Sequence, residues 1–172
     1  MIEFLPLARS DLPVVREWLS QEHVALWWRD PAESLAGYEE ALTGDDPTDL
    51  YLIELDGRRI GMIQTYLASD HPEWEAVVQV GEGVAGVDLM IGEPDLVGQG
   101  VGPQVLSEFV RTVVFASPDT HACIATVEEA NARSWRAFEK AGFRHVRDVV
   151  EESEGVGIPH RLMRLDRDAQ EA

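Results

Sequence analysis

Six residues past the middle of the chain constrain it most: Val97-Gly98-Gln99-Gly100-Val101-Gly102. Ahead of them, Gly83 to Gly92 is apolar apart from Asp88 and reads as a buried strand. Behind them, Pro103 to Val110 reads as an amphipathic helix. Glycines at alternate positions let the backbone turn tightly with no side chains in the way. The first N–H groups of the helix point outward unpaired, and the helix dipole adds to their preference for an anion. Strand, glycine loop and helix together outline a pyrophosphate cradle. No Lys follows the last glycine, which excludes a P-loop. The G-x-G-x-G spacing also departs from the dinucleotide fingerprint, and the loop alone is equally compatible with a plain turn.

A second segment narrows the choice. Asn131-Ala132-Arg133-Ser134-Trp135-Arg136-Ala137-Phe138-Glu139-Lys140-Ala141-Gly142-Phe143 follows a short predicted strand, His121 to Thr126. It resembles the Asn-x-x-Ala/Ser…Tyr-Glu-Lys-x-Gly-Phe segment of the GCN5-related N-acetyltransferases (GNAT). The glycine loop precedes it, in that family's order. The resemblance implies that Val97, Gly98, Gln99, Gly100, Val101 and Gly102 hold the pyrophosphate of acetyl-CoA. It also implies that Asn131 and Phe138 lie along the cofactor arm. Backbone N–H groups of the central strand, here Leu89, Met90 and Ile91, are then expected to stabilise the oxyanion.

Composition sets the outer bounds. The chain has 172 residues, 45% hydrophobic, with no compositional break, so one domain spanning 1–172 is expected. One cysteine excludes an internal disulfide framework, and Cys123 reads as a small buried hydrophobe. No apolar run approaches membrane-spanning length and no basic-plus-apolar signal opens the chain, so a cytoplasmic protein without a membrane partner is expected. Lys+Arg 14 against Asp+Glu 32 gives a net charge of −18. Nucleic acid is a poor partner for such a surface and a cationic small molecule a good one. Solubility or salt adaptation accounts for the charge equally well. His23, His71, His121, His145 and His160 are scattered without metal-ligand spacing, so no metal is expected. The expected assembly is a monomer or weak homodimer.

Along the chain, Ile2 to Leu7 reads as an edge strand because Pro6 cannot serve a central one. Ser10 is placed to cap a helix with Asp11 and Pro13 in its first turn and Leu12, Val15, Trp18 and Leu19 on its apolar face. A second helix is predicted from Ala32 to Leu42, ending before Gly44. Tyr51 to Leu55 and Arg58 to Leu67 flank Asp56-Gly57, the strongest short hairpin signal. A long acidic segment to Glu82 reads as irregular. The central strand follows, then the helix from Pro103 to about Ala116, the strand holding Cys123, the helix at Asn131, and strands at 143–151 and 158–166. The order β-α-α-β-β-β-α-β-α-β-β is α/β. It matches the GNAT fold, a mixed, mostly antiparallel sheet flanked by helices.

Acyl transfer to an amine requires an acceptor for the amine proton. Asp88 is the candidate, since a carboxylate interrupting an apolar strand is either a solvent-facing position or a functional one. The wider sequence resembles the aminoglycoside 6′-N-acetyltransferases. Arg16-Glu17-Trp18-Leu19 leads to His23-Val24-Ala25-Leu26-Trp27-Trp28, with Pro31 to Tyr38 in register. Ile60-Gly61-Met62-Ile63-Gln64-Thr65-Tyr66 and Gly86-Val87-Asp88 match further segments. The resemblance implies that Gln64, Tyr66, Asp70, Trp74 and Asp88 contact substrate, while Trp27 and Trp28 either line the pocket mouth or pack in the core at the corner between the first two helices. Thr126 stands where those relatives carry a substrate-contacting Asp, with Glu128 or Glu129 nearby to compensate. Phe138 replaces a Tyr that many relatives offer as general acid, and it has no hydroxyl to do so. The leading expectation is acetyl-CoA-dependent acetylation of a cationic primary amine, an aminoglycoside 6′-amine first. The alternatives are a siderophore-type hydroxylysine N-acyltransferase and a non-catalytic CoA-binding domain.

Overall fold

The computed structural model describes residues 1–171. The strands are β1 (Ile2–Pro6), β2 (Asp49–Leu55), β3 (Arg58–Leu67), β4 (Val84–Ile91), β5 (Ala122–Glu128), β6 (Arg144–Ser153) and β7 (Val156–Asp166). The helices are α1 (Leu12–Ser20), α2 (Glu22–Ala25), α3 (Pro31–Thr43), α4 (Pro72–Val78), α5 (Val101–Thr112), α6 (Ala132–Lys140) and α7 (Arg167–Glu171). The strands form one sheet in the order β1-β2-β3-β4-β5-β7-β6. The β4–β5 pair is parallel, while β1–β2, β2–β3, β5–β7 and β6–β7 are antiparallel. The expected mixed, mostly antiparallel α/β architecture is thus present.

Local chemistry explains most boundaries. At the β2–β3 hairpin, Asp56 and Gly57 both take positive φ, 51° and 83°, the geometry a tight two-residue turn needs. In α3, the Asp30 carboxylate accepts from Glu33 N at 3.1 Å, and Gly44 closes the helix in the left-handed conformation. Cys123 is fully buried on β5.

Two expectations fail. Ser10 is no helix cap, because it sits inside a 3₁₀ turn, Arg9–Asp11, that runs directly into α1. Asp11 precedes α1 but makes no side-chain capping bond to it; its carboxylate closes the 3₁₀ turn instead, accepting from Ala8 N at 2.9 Å, and pairs with Arg59 at 3.2 Å. The acidic segment is not irregular throughout, since α4 lies within it. Pro72 suits the first helical position, Glu73 and Glu75 complement the dipole there, and Trp74, Val77 and Val78 pack inward. Seven residues are too few for a clear periodic signal.

The chain divides into two compact units, Met1–Thr65 with Asp88–Val101, and Tyr66–Val87 with Gly102–Ala172. The first has a core of Leu7, Val15, Trp18, Leu19, Leu50, Leu52, Met62 and Met90. The second is built on Ala68, Val78, Val84, Ala122, Ile124 and Leu162.

Gly37 lies exposed inside α3, and a β-carbon there would meet nothing within 4 Å. Gly37→Ala should therefore stabilise the protein by about 0.5–1 kcal/mol, by removing backbone freedom from the unfolded chain. A urea midpoint that failed to rise, with unchanged slope, would refute this.

Candidate functional site

In the first unit, β3 and β4 bring Gln64 to Asp88, and Gln64 Nε2 donates to Asp88 Oδ2 at 2.9 Å. Both side chains are half-buried. The bond holds one carboxylate oxygen in a fixed direction. Tyr38 of α3 stands close enough for the Asp88 charge to act on its phenol. Burial, first, and that charge, second, push the Tyr38 phenol far above its ordinary value, opposed by the neighbouring Ser34 hydroxyl. The phenol therefore stays protonated at any working pH. Tyr38 is only 4% exposed, and the nearby Ser34 hydroxyl falls short of hydrogen-bond geometry with its oxygen. A buried hydroxyl without a partner is costly, so it is a donor in waiting. In the sequence Tyr38 reads only as a position of the second predicted helix. The available signal was its place on the apolar face with Leu35 and Leu42, where a tyrosine must still house its hydroxyl.

The pairing of β4 with β5 covers only Val84–Gly86 against Ala122–Ile124. Val87 to Ile91 therefore lie outside that ladder, which includes the expected oxyanion-binding backbone of Leu89, Met90 and Ile91. The strand's exit is fixed from several sides. His23 Nε2 donates to Ile91 O at 2.8 Å, Gly92 N donates to Ile60 O at 2.8 Å, and Trp18 Nε1 donates to Glu93 at 3.2 Å. A β-carbon at Gly92 would lie 2.0 Å from Trp18 Cγ, so the indole requires glycine there.

The glycine loop follows a 3₁₀ turn, Pro94–Leu96, which Arg58 ties to β3 through a bidentate pair with Asp95 at 2.8 and 2.9 Å. Hydrogen bonding to Arg58 holds the Asp95 carboxyl below its usual range. The pair is exposed, so it orients the turn more than it stabilises the fold. Gly98 and Gly100 take φ of 75° and 78°, and a β-carbon at either meets nothing within 4 Å. The loop backbone is thus bare on that side, as close approach of a diphosphate requires. α5 follows with no acid in its first turn.

In the second unit, Tyr66, His71 and Trp74 form an aromatic cluster. Tyr66 meets His71 edge-on at 5.0 Å and Trp74 at 5.2 Å. The cluster sits on Gly86, where a β-carbon would come within 2.6 Å of Tyr66 and 2.9 Å of Trp74. Asp70 is exposed on the turn before α4. Glu75 is spent locally, accepting from Gly81 N at 2.8 Å. Asn131 caps α6 by accepting from Ser134 N at 3.4 Å. Phe138 is buried edge-on against Phe143 at 5.0 Å. Glu128 is half-buried at the end of β5, in register with His160. Trp28 packs on the core of the first unit and Trp27 is half-buried beside it in sequence.

Among the described residues no group of three or more His, Cys, Asp or Glu is placed to hold a metal ion, and no helix is long and apolar enough to cross a membrane.

Residues 8–150 match the family described as "Acetyltransferase (GNAT) domain". The chain is 28% identical over 145 residues to the aminoglycoside N(6′)-acetyltransferase type 1 of Klebsiella pneumoniae, covering 80% of this chain and 71% of that one. A shorter stretch of 61 residues, 34% of this chain and 29% of the relative, is 33% identical to the N-hydroxyputrescine acetyltransferase of Acinetobacter baumannii. The structure of AAC(6′)-Ib in complex with paromomycin and acetyl-CoA superposes with a TM-score of 0.85 at 25% identity, over 99% of this chain and 96% of that one.

Proposed function

The chain belongs to the GNAT acetyltransferase family, and on that footing we propose that it moves an acetyl group from acetyl-CoA to a primary amine of a cationic small molecule, with an aminoglycoside 6′-amine as the foremost candidate. The observation that carries this reading is the oriented carboxylate of Asp88, held by Gln64 on the central strand. When bound, acetyl-CoA supplies the activated acyl thioester.

The bare backbone at Gly98 and Gly100 suits its diphosphate, and Asn131 and Phe138 are the residues proposed along the arm. Asp88 first attracts the substrate ammonium, then accepts its proton so that the nitrogen lone pair is free to attack. Gln64 keeps the carboxylate aimed. Backbone N–H groups in the stretch from Leu89 to Ile91 stabilise negative charge on the acyl oxygen. Tyr38, protonated and without a partner, supplies a further donor beside Asp88. Trp27, Trp28, Tyr66, Trp74, Asp70 and Glu128 are proposed as substrate contacts, because aromatics suit sugar faces and carboxylates suit ammonium groups.

A second reading, acylation of a hydroxylated alkyl amine, draws on the short likeness to the N-hydroxyputrescine enzyme. A thiol-release assay with acetyl-CoA against aminoglycosides, polyamines and N-hydroxylated diamines separates the two. Release with aminoglycosides alone supports the first reading, and release with hydroxylated diamines alone replaces it. CoA binding without release on any amine returns the chain to a binding role.

The cradle is tested separately. Gly100→Asp places a side chain at φ 78° and a negative charge against the diphosphate. CoA affinity should fall by ~2 kcal/mol or more. Unchanged affinity by calorimetry, in a variant with native circular dichroism, would move the diphosphate elsewhere.

A further inference from the structure

We propose that β6, one edge of the sheet, pairs antiparallel with β6 of a second copy of this chain to form a weak two-fold dimer. The sheet ends in two edges, β1 and β6, and they differ in kind. β1 has five residues and carries Pro6, two ordinary ways of blunting an edge. β6 has ten residues, Arg144–Ser153, with neither Pro nor Lys. Its backbone pairs with β7 on one side, and among the described residues no other backbone hydrogen bond reaches it. Val146 and Val150 of β6, and Val156 across the hairpin turn, are exposed; they are three of the seven exposed large hydrophobic side chains among the described residues. A shift of register between His145 and Arg147 marks a bulge near the start of β6, and Arg147 to Ser153 then run in regular register.

The charges on β6 are sorted along it. Arg144 and Arg147 stand towards its start, and Asp148, Glu151 and Glu152 towards its end. An edge guarded by charge of one sign repels its own copy. Here antiparallel pairing instead brings the basic start of one copy to the acidic end of the other. A two-fold axis normal to the sheet keeps each side chain on its own face, so opposed residues must belong to the same alternation. The axis therefore passes through a residue and not between two.

Charge selects which residue that is. With Asp148 on the axis, two carboxylates face each other directly. With Val150 on the axis, Asp148 faces Glu152 twice. With Val149 on the axis, Arg147 of each copy faces Glu151 of the other, Val149 faces its own copy, and Asp148 faces Val150. Opposite charges directly across an antiparallel pair are favourable and like charges are not, so the register on Val149 is the one selected. Both members of the ion pair have capacity to spare. Arg147 donates from one amino group to Val78 O, and Glu151 lies 3.5 Å from His160 through one oxygen. A guanidinium has five N–H donors and a carboxylate two acceptor oxygens. The bulge at the start of β6 confines the regular ladder to Arg147 through Glu151 of each copy. So short a ladder makes a concentration-dependent dimer, at the small end of specific interfaces.

The test is sedimentation velocity at physiological ionic strength, where the net charge of each copy is screened beyond roughly 8 Å. The wild type should shift from monomer towards dimer as its concentration rises from micromolar towards millimolar. Glu151→Arg turns two attractions into two repulsions and should weaken the dimer about tenfold or more. Arg147→Glu/Glu151→Arg exchanges the pair and should restore it. Because Arg147 also holds Val78 O, a second measurement leaves it in place. Asp148 and Val150 are both exposed, and Cys123 is buried and does not compete. Asp148→Cys and Val150→Cys, mixed under mild oxidant, should cross-link faster than either variant alone, since residues opposed across a ladder stand within disulfide reach. A wild type that stays monomeric at every concentration would overturn the self-pairing, with an extended segment of a different protein as the remaining occupant of this edge. A dimer indifferent to Glu151→Arg, or a mixture that cross-links no faster, would place the interface elsewhere and overturn it too.

Discussion

Asp88→Asn should lower turnover on the order of 10²-fold or more while leaving acetyl-CoA affinity unchanged. The substitution keeps the size of the side chain and its ability to accept from Gln64 Nε2, so the geometry around β3 and β4 has no reason to alter. What it removes is the negative charge and the basic lone pair. The first loss weakens capture of an ammonium, and the second ends proton acceptance at this atom. Both effects should therefore appear, as a raised KM for the amine and a reduced kcat. A variant impaired only in KM would make Asp88 a binding group whose proton-accepting role belongs to water. Wild-type turnover would remove Asp88 from the chemistry altogether. The folded state should be unaffected, with a thermal midpoint close to wild type, and that control separates loss of chemistry from loss of structure.

Gly61→Ala should destabilise the protein by about 3 kcal/mol or more, through overpacking against backbone. A β-carbon at Gly61 would lie 1.9 Å from Met90 O, 3.0 Å from Met90 C and 3.1 Å from Ile91 Cα. None of these atoms is the end of a flexible side chain. The neighbours Ile60 and Met62 are fully buried, so β3 has no room to withdraw without opening the core. Since each kcal/mol moves the midpoint of a domain this size by roughly 2–4 °C, a fall of roughly 6–12 °C is expected. The same strain falls on the strand that carries Asp88, so residual activity at low temperature should also drop. A midpoint equal to wild type would show that β3 and β4 separate easily at this point. The contrast with Gly37→Ala is diagnostic: one added methyl group, two opposite signs, decided by what the new atom meets.

Those two glycines show what local sequence carries and what it does not. Asp56-Gly57, Gly44, Gly98 and Gly100 were legible because their positive φ angles answer a local need, a tight turn, a helix stop or a bare loop. Gly61, Gly86 and Gly92 are required by atoms distant in the chain or beyond their own turn: Met90 O, the Tyr66 and Trp74 rings, and the Trp18 indole. No turn, cap or periodicity around them gives that reason. The helix cap expected at Ser10 is absent because Asp11 closes a 3₁₀ turn onto Ala8 N, a local bond, and is held by Arg59 of β3, a distant one.

Taken by itself, the sequence determined the strand–glycine loop–helix order, the hairpin at Asp56-Gly57, the mixed α/β architecture and the presence of a carboxylate, Asp88, within the apolar central strand. Each depends on periodicity, turn chemistry or an oddly placed charge, all of which act over a few residues. Tertiary structure alone decided that Gln64 holds Asp88 and that Tyr38 buries an unpartnered hydroxyl beside it. These depend on which side chains meet after the sheet assembles, and a hydrogen bond or an ion pair requires approach within about 3–4 Å that sequence separation does not encode.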